Sequence, residues 1–148
     1  MMIITDSASD ITKQEALEMN IRIVSLKIRF SDGEFHQNTE EDFSVFFEKL
    51  AAEKDLPTTS QPSPEEFLEL YEEAKDAGEE VLVITLSSGL SGTVNAANLA
   101  KQMAEYEKNL DCGFRAGNHH SAFSCSARGE NAQRRERVWK RLSHVLKI

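Results

Sequence analysis

The sequence predicts an α/β fold with a mainly parallel β-sheet flanked by helices. Two apolar runs, residues 2–5 and 81–86, have the composition of strands, and the second is apolar enough to be buried on both faces. Segments with apolar residues at helical spacing separate the predicted strands, which is the order of βαβ units. Both runs lead into polar loops, where open α/β sheets bind their ligands. The 148 residues suffice for one domain with a core.

The N-terminal elements are predicted to be a strand, a helix and a second, longer strand. The strand at residues 2–5 is followed by turn and cap residues, Asp6-Ser7-Ala8-Ser9-Asp10. The helix is predicted over residues 12–19, and the second strand over residues 21–30. The expected inner face of the helix consists of Ile11, Ala16 and Leu17.

A hairpin and a phenylalanine-rich helix are predicted next. The hairpin is indicated by Asp32-Gly33, which supplies the positive φ of a tight turn, and a short return strand would cover residues 35–37. The helix is predicted over residues 41–54. Its apolar residues at helical spacing are Phe43, Phe46, Phe47 and Leu50. They could belong to the hydrophobic core or line a ligand site, and the core interpretation is favoured.

A proline-framed segment precedes the most regular helix of the chain. Pro57 and Pro62 hold the backbone between them extended, which presents Thr58, Thr59 and Ser60 as a row of donors. The helix is predicted over residues 64–77, with Ser63 as N-cap, Pro64 at its first position, Glu66 completing a capping box and Gly78 ending it. Its predicted inner face consists of Phe67, Leu70, Tyr71 and Ala74.

The loop after the 81–86 strand, residues 87–93 and hereafter the Ser/Gly loop, precedes a helix predicted over residues 93–105. It lacks the lysine of a P-loop and the G-x-S-x-G spacing of a nucleophile elbow, and the first 108 residues hold one histidine, His36. Hydroxyls, glycine N–H groups and a helix N-terminus instead suit a carboxylate or phosphate. Spacing alone leaves open whether Ser87, Ser88 and Ser91 only cap that helix.

Three segments together resemble the signatures of the DegV family. They are Ile4-Thr5-Asp6-Ser7-Ala8-Ser9-Asp10, Thr59-Ser60-Gln61-Pro62-Ser63 and Leu86-Ser87-Ser88-Gly89-Leu90-Ser91-Gly92-Thr93. Their order and separations match as well, and the resemblance covers about residues 2–107. It implies a DegV-like N-terminal domain and a bacterial protein that binds fatty acids, which some members present to a kinase that phosphorylates the carboxylate.

The resemblance also implies roles for individual residues. Thr59 and Ser91 would hydrogen-bond the carboxylate of a long-chain fatty acid, supported by a set of neighbours: Ser60, Ser88, Gly92 and Thr93. The implied protein is a carrier and not an enzyme, and it requires neither a cofactor nor a metal. The alternative is a phosphate- or nucleotide-binding α/β enzyme that uses the same loop.

Charge and composition exclude several classes of function. The net charge is −8, but residues 109–148 carry eight Lys or Arg and three Asp or Glu, a net of +5, which leaves −13 on residues 1–108. An acidic body argues against a nucleic-acid partner, which requires a positive surface. No apolar run approaches the ~20 residues of a transmembrane helix, and the N-terminus lacks a signal-peptide pattern. With only two cysteines, the cytoplasm is the expected location.

The sequence after residue 108 departs from the family pattern. We therefore predict two parts, a domain over residues 1–108 and an atypical basic tail over residues 109–148, either frame-shifted or disordered. Since the family has a second domain, the chain is expected to be truncated and to bind lipid weakly or not at all. Two other interpretations of the tail remain. Residues 130–148 could form a basic amphipathic helix that binds a membrane, nucleic acid or the acidic body. Alternatively, the tail could hold zinc through four residues: Cys112, His119, His120 and Cys125.

Overall fold

A computed structural model describes residues 1–9, 11–35, 41–107, 109–115 and 122–125, with side chains described for residues 1–9, 11–35 and 44–107. Its larger sheet has five strands in the order β2-β1-β6-β7-β8. All neighbours pair in parallel except β7 and β8. The predicted α/β class with a mainly parallel sheet is confirmed. The strands are β1 (Met2–Asp6), β2 (Ile21–Val24), β6 (Val81–Thr85), β7 (Asn109–Arg115) and β8 (Ala122–Cys125).

A smaller antiparallel sheet has the order β4-β3-β5, with β3 at Lys27–Phe30, β4 at Gly33–Phe35 and β5 at Thr58–Ser60. The prediction of one strand over residues 21–30 was therefore wrong, because the chain changes sheets between β2 and β3. The N–H of Leu26 donates to the Ser7 hydroxyl at 3.0 Å. That hydrogen bond to the loop after β1 satisfies the backbone where the chain leaves the larger sheet.

The helices cover the larger sheet on both faces. Ala16 of α1 packs on Ile3 and Leu82 on one face. On the other face, Tyr71 of α3 and Ala97 of α4 belong to one buried cluster with strand residues of β1, β2 and β6. The bounds are α1 (Lys13–Met19), α2 (Glu41–Ala52), α3 (Pro64–Asp76) and α4 (Thr93–Met103).

The predicted helix over residues 64–77 is confirmed as α3. The Glu66 carboxylate accepts a hydrogen bond from the Ser63 N–H at 3.3 Å, as expected of a capping-box glutamate. Gly78 follows the C-cap with φ of 64°, a left-handed conformation that glycine adopts without steric cost. Of the four predicted inner residues, Leu70 is partly buried. The other three are fully buried: Phe67, Tyr71 and Ala74.

Two predicted inward-facing residues are exposed. Leu17 on α1 is 79% exposed because Ala16 carries the buried side of this short helix and the next residue lies about 100° around it. Phe47 on α2 is 61% exposed. Phe46 instead packs edge-to-face on Phe30 and against Phe35, with ring centroids 5.7 and 5.6 Å apart. Phe46 is thus half-buried against two aromatic rings, whereas Phe47 is exposed, and the side chain of Phe43 lies outside the described ones.

The backbone continues the larger sheet beyond the predicted boundary at residue 108. Strand β7 pairs with β6 over five residues, from Val81 opposite Asn109 to Thr85 opposite Gly113. The division into residues 1–108 and 109–148 stays a prediction. Three predictions fall outside the described residues. They are the helix over residues 130–148, the part of the return strand at residues 36–37, and the side chains of the alternative zinc site. Within the described residues, no helix is long and apolar enough to cross a membrane.

Candidate functional site

Strands β1 and β6 are neighbours at the topological switch point of the larger sheet, where the strand order reverses. From β1 the chain proceeds to β2 on one side, and from β6 to β7 on the other. The two loops that follow these strands therefore diverge and leave a crevice between them, which is where open α/β sheets bind ligands. Residues 7–9 form a 3-10 turn on one side of this crevice, and the Ser/Gly loop lies on the other.

A buried carboxylate ties the two loops together. Asp6, at the end of β1, is 3% exposed, and its Oδ2 accepts the N–H of Leu86 at 2.7 Å. Its Oδ1 accepts the N–H of Ala8 at 3.2 Å. Burial raises the pKa of Asp6, and the two N–H donors act in the opposite direction. In the sequence, Asp6 belongs to the turn after the first strand and to the first DegV-like segment, and no local pattern indicates its contact with Leu86.

The Ser/Gly loop folds as one compact turn before α4. The carbonyl of Ser87 accepts the N–H groups of Leu90 and Ser91 at 2.9 and 3.0 Å. Gly92 is the N-cap residue of α4, and its carbonyl accepts the N–H of Ala96 at 3.1 Å. No side chain at Gly92 can cap the helix. Helix α4 begins at Thr93, directly after the loop, so the positive end of the helix dipole lies at the loop.

The Ser91 and Thr93 hydroxyls form a hydrogen-bonded pair. Their oxygens are 2.8 Å apart, and Ser91 Oγ also accepts the Thr93 N–H at 3.3 Å. Thr93 is fully buried, and within the described residues its hydroxyl contacts Ser91 alone as an acceptor. A buried hydroxyl keeps its O–H hydrogen-bonded, so we assign Thr93 as the donor and Ser91 Oγ as the acceptor; with this assignment Ser91 Oγ accepts twice. The Ser91 proton is left to donate to another group. Helix capping and ligand binding by Ser91 are thus compatible.

Thr59 lies in the middle of β5 and is exposed. It is paired with Ile28 of β3, which is itself paired with Phe35 of β4. Directly paired residues project from the same face of a sheet, so the Thr59 hydroxyl borders a face that carries Ile28 and Phe35. Ser60 alternates to the opposite face of β5. The predicted row of donors is therefore divided between two faces.

Gln61, directly after β5, joins this strand to the Ser/Gly loop. Its side-chain amide occupies the space that a Cβ at Gly92 would fill, with Cδ 2.7 Å and Nε2 3.3 Å from that position. Gly92 lies between Ser91 and Thr93, and Gln61 is two residues after Thr59. The contact therefore brings the two segments predicted to bind a carboxylate to the same place. Gln61 belongs to the second DegV-like segment, but a contact across 31 residues leaves no local pattern that would indicate this role.

The predicted site residues are thus arranged around one contact. Ser91, Gly92 and Thr93 share the turn at the start of α4, and Ser88 is exposed in the same loop. Their assignment to a ligand stays a prediction. Among the described side chains, no group of three or more His, Cys, Asp or Glu could hold a metal ion, and His36 lies outside the described residues.

Comparison with known proteins gives one consistent result. The profile of the family described as "Uncharacterised protein, DegV family" matches residues 1–117. A DegV domain-containing protein of Listeria innocua is 36% identical over 132 residues, which are 88% of this chain and 47% of that protein. This chain therefore spans about half the length of the curated relatives that it matches.

Comparison with solved structures also identifies DegV-family proteins. The crystal structure of DegV from Bacillus subtilis, a fatty acid binding protein, matches with a TM-score of 0.62 and 31% identity over 81% of this chain and 41% of that one. A DegV-family protein of Ruminococcus gnavus with vaccenic acid matches with a TM-score of 0.64 and 30% identity, over 76% and 40% of the two chains. The family profile, which matches residues 1–117, covers the Ser/Gly loop and β5.

Proposed function

The chain belongs to the DegV family, and we propose that it binds the carboxylate of a long-chain fatty acid through Thr59 and Ser91. The observation that carries the proposal is the pair of Ser91 and Thr93 hydroxyls, 2.8 Å apart; with Thr93 assigned as the donor, Ser91 accepts twice and keeps its own proton for a ligand. A carboxylate is an acceptor, so it matches this donor. The matching structures from Bacillus subtilis and Ruminococcus gnavus, a fatty acid binding protein and a complex with vaccenic acid, support the proposal.

The proposed function is that of a carrier and not of a catalyst. The alkyl chain of the acid would supply most of the affinity, at about 0.8 kcal/mol for each buried CH₂. The hydroxyls and the positive end of α4 would orient the charged end of the ligand. Binding of this kind requires neither a nucleophile nor a metal. We include in the proposal the cytoplasmic location and a kinase subunit as partner, both of which stay predictions.

Comparing an acid with the alcohol of the same length tests the carboxylate role directly. We propose to titrate the ¹⁵N-labelled chain with octanoate and with 1-octanol and to follow the amide shifts of the Ser/Gly loop by NMR, which measures weak binding. Thr59→Ala should weaken octanoate binding about 10-fold or more, since a hydrogen bond to a charged group contributes roughly 1.5–3 kcal/mol. Binding of 1-octanol should change little.

Thr58→Ala is the matched control, because Thr58 is an exposed threonine on the same strand whose side chain alternates to the other face. It should leave both ligands unaffected. Equal losses of octanoate and 1-octanol in Thr59→Ala would remove the carboxylate role. The alternative function is tested separately by native mass spectrometry of the chain purified from bacteria. A co-purified fatty acid supports the carrier, whereas a co-purified nucleotide supports the enzyme.

A further inference from the structure

Gln61 projects from a rigid point of the backbone toward the proposed site. It precedes Pro62, and a residue before proline is restricted to extended conformations. Pro62 is itself among the fully buried residues. Because residues i and i+2 of an extended chain project to the same side, Gln61 continues the face of β5 that carries Thr59. Its side chain then reaches across to Gly92, at the start of α4.

The orientation of the Gln61 amide leaves its N–H groups available. A Cβ at Gly92 would overlap Oε1 and Cδ of Gln61, whereas Nε2 lies further away, at 3.3 Å. This orientation places the carbonyl oxygen against the N-cap of α4, where the helix dipole favours negative charge. We see no described residue that accepts a hydrogen bond from Nε2. Two amide protons therefore remain available where Gln61 contacts Gly92, the residue next to Ser91.

We propose that Gln61 is a third donor to the ligand carboxylate and makes the site selective for acids. The proposal rests on the proposed function and adds to it a residue that contacts the ligand. A carboxylate has two oxygens with about four acceptor positions, more than two hydroxyls can satisfy. The Gln61 amide, which follows the Thr59 strand and contacts Gly92 in the Ser/Gly loop, supplies a further donor.

The same geometry explains why residue 92 is a glycine. Its φ is −77°, which any residue adopts, so backbone conformation does not require glycine at this position. The requirement comes from the space that the Gln61 amide occupies. Since that amide is the end of a flexible side chain, Gly92→Ala should displace it without unfolding the protein. Such a variant should lose the donor and keep the fold.

Gln61→Glu provides the sharpest test, because it keeps the size of the side chain and replaces the donor NH₂ with a negatively charged acceptor. In the same NMR titrations, Gln61→Met should weaken octanoate binding about 10-fold, and Gln61→Glu should weaken it further by repulsion. Binding of 1-octanol should change less than about 2-fold. Gln102→Glu, an exposed glutamine near the other end of α4, is the control for the added charge and should bind octanoate as the wild type does.

Gly92→Ala adds an independent test by non-additivity. It should weaken octanoate binding about as much as Gln61→Met, and the double variant should bind no more weakly than either single variant. Thermal unfolding of all variants checks that the fold is kept. If Gln61→Glu binds octanoate with the wild-type affinity, or if the losses of affinity add up in the double variant, Gln61 is not a donor to the carboxylate. The proposed function would be unaffected by either result. A wild-type chain that does not bind octanoate would overturn the proposed function and the donor together.

Discussion

Replacing Ser91 with alanine should destabilise the protein as well as weaken ligand binding, and the two effects can be separated. The Thr93 hydroxyl is fully buried, and it is assigned as the donor to Ser91 Oγ, 2.8 Å away. Without that acceptor, a buried O–H loses its hydrogen bond and gains no water in return. A buried polar group left in this way costs about 1–3 kcal/mol. For a domain of this size, that loss corresponds to a fall in melting temperature of roughly 4–12 °C.

The companion variant Thr93→Val removes the buried hydroxyl and keeps the shape of the side chain. Removing both partners of a buried hydrogen bond can be nearly neutral, so the double variant Ser91→Ala/Thr93→Val should recover most of the stability that Ser91→Ala loses. Urea denaturation of the four proteins gives the free energies of unfolding and hence the coupling between the two residues. We expect a coupling of about 1 kcal/mol or more.

The octanoate titration then separates stability from function. The double variant should regain stability and still bind octanoate weakly, because it has no hydroxyl at residue 91. If Ser91→Ala unfolds with the wild-type free energy, or if the two substitutions are strictly additive, the assigned direction of the Ser91–Thr93 hydrogen bond is wrong. If the stabilised double variant binds octanoate like the wild type, Ser91 does not contact the carboxylate.

Three other predictions concern the scaffold. Burial raises the pKa of Asp6 above its ordinary value of 3.8. The contribution of Asp6 to the free energy of unfolding is therefore largest below pH 3.8 and is lost as the pH rises through the raised pKa of the folded state. The free energy of unfolding of the wild type minus that of Asp6→Asn should therefore fall as pH rises from 3.8, and a rise in urea titrations would contradict this. Thr12→Ala removes the N-cap of α1 and should cost about 1 kcal/mol in the same assay; an unchanged midpoint would contradict the cap. Ala100→Leu should cost about 1–3 kcal/mol by overpacking a fully buried position, whereas Leu99→Ala, at a half-exposed position, should cost less.

Features with a local cause could be predicted from the sequence. The proline and glutamate at the start of α3 and the glycine at its end act within one helical turn, and the helix lies where they indicate. Strand β6 is nearly all apolar because both of its faces are buried, and this composition identified it. The class of the fold followed from the alternation of such elements.

Features that depend on distant contacts could not be predicted. The hydrogen bond from the Leu86 N–H to Asp6 spans 80 residues, and neither residue differs locally from an ordinary strand end. The break between β2 and β3 depends on Ser7, which accepts the Leu26 N–H from outside the strand pattern. The motifs indicated that β5 and the Ser/Gly loop belong together. The Gln61 side chain that connects them became visible only in three dimensions.

The pairing of β1 with β6 has a consequence for synthesis of the chain on the ribosome. Strand β1 is completed at residue 6, but β6, its partner on one side, begins 75 residues later, at Val81. At about 5–20 residues per second, one edge of this strand waits about 4–15 s for its neighbour. Strand β2 arrives much earlier and covers only the opposite edge. During that interval the nascent chain presents an open β-edge at which intermolecular pairing competes with folding.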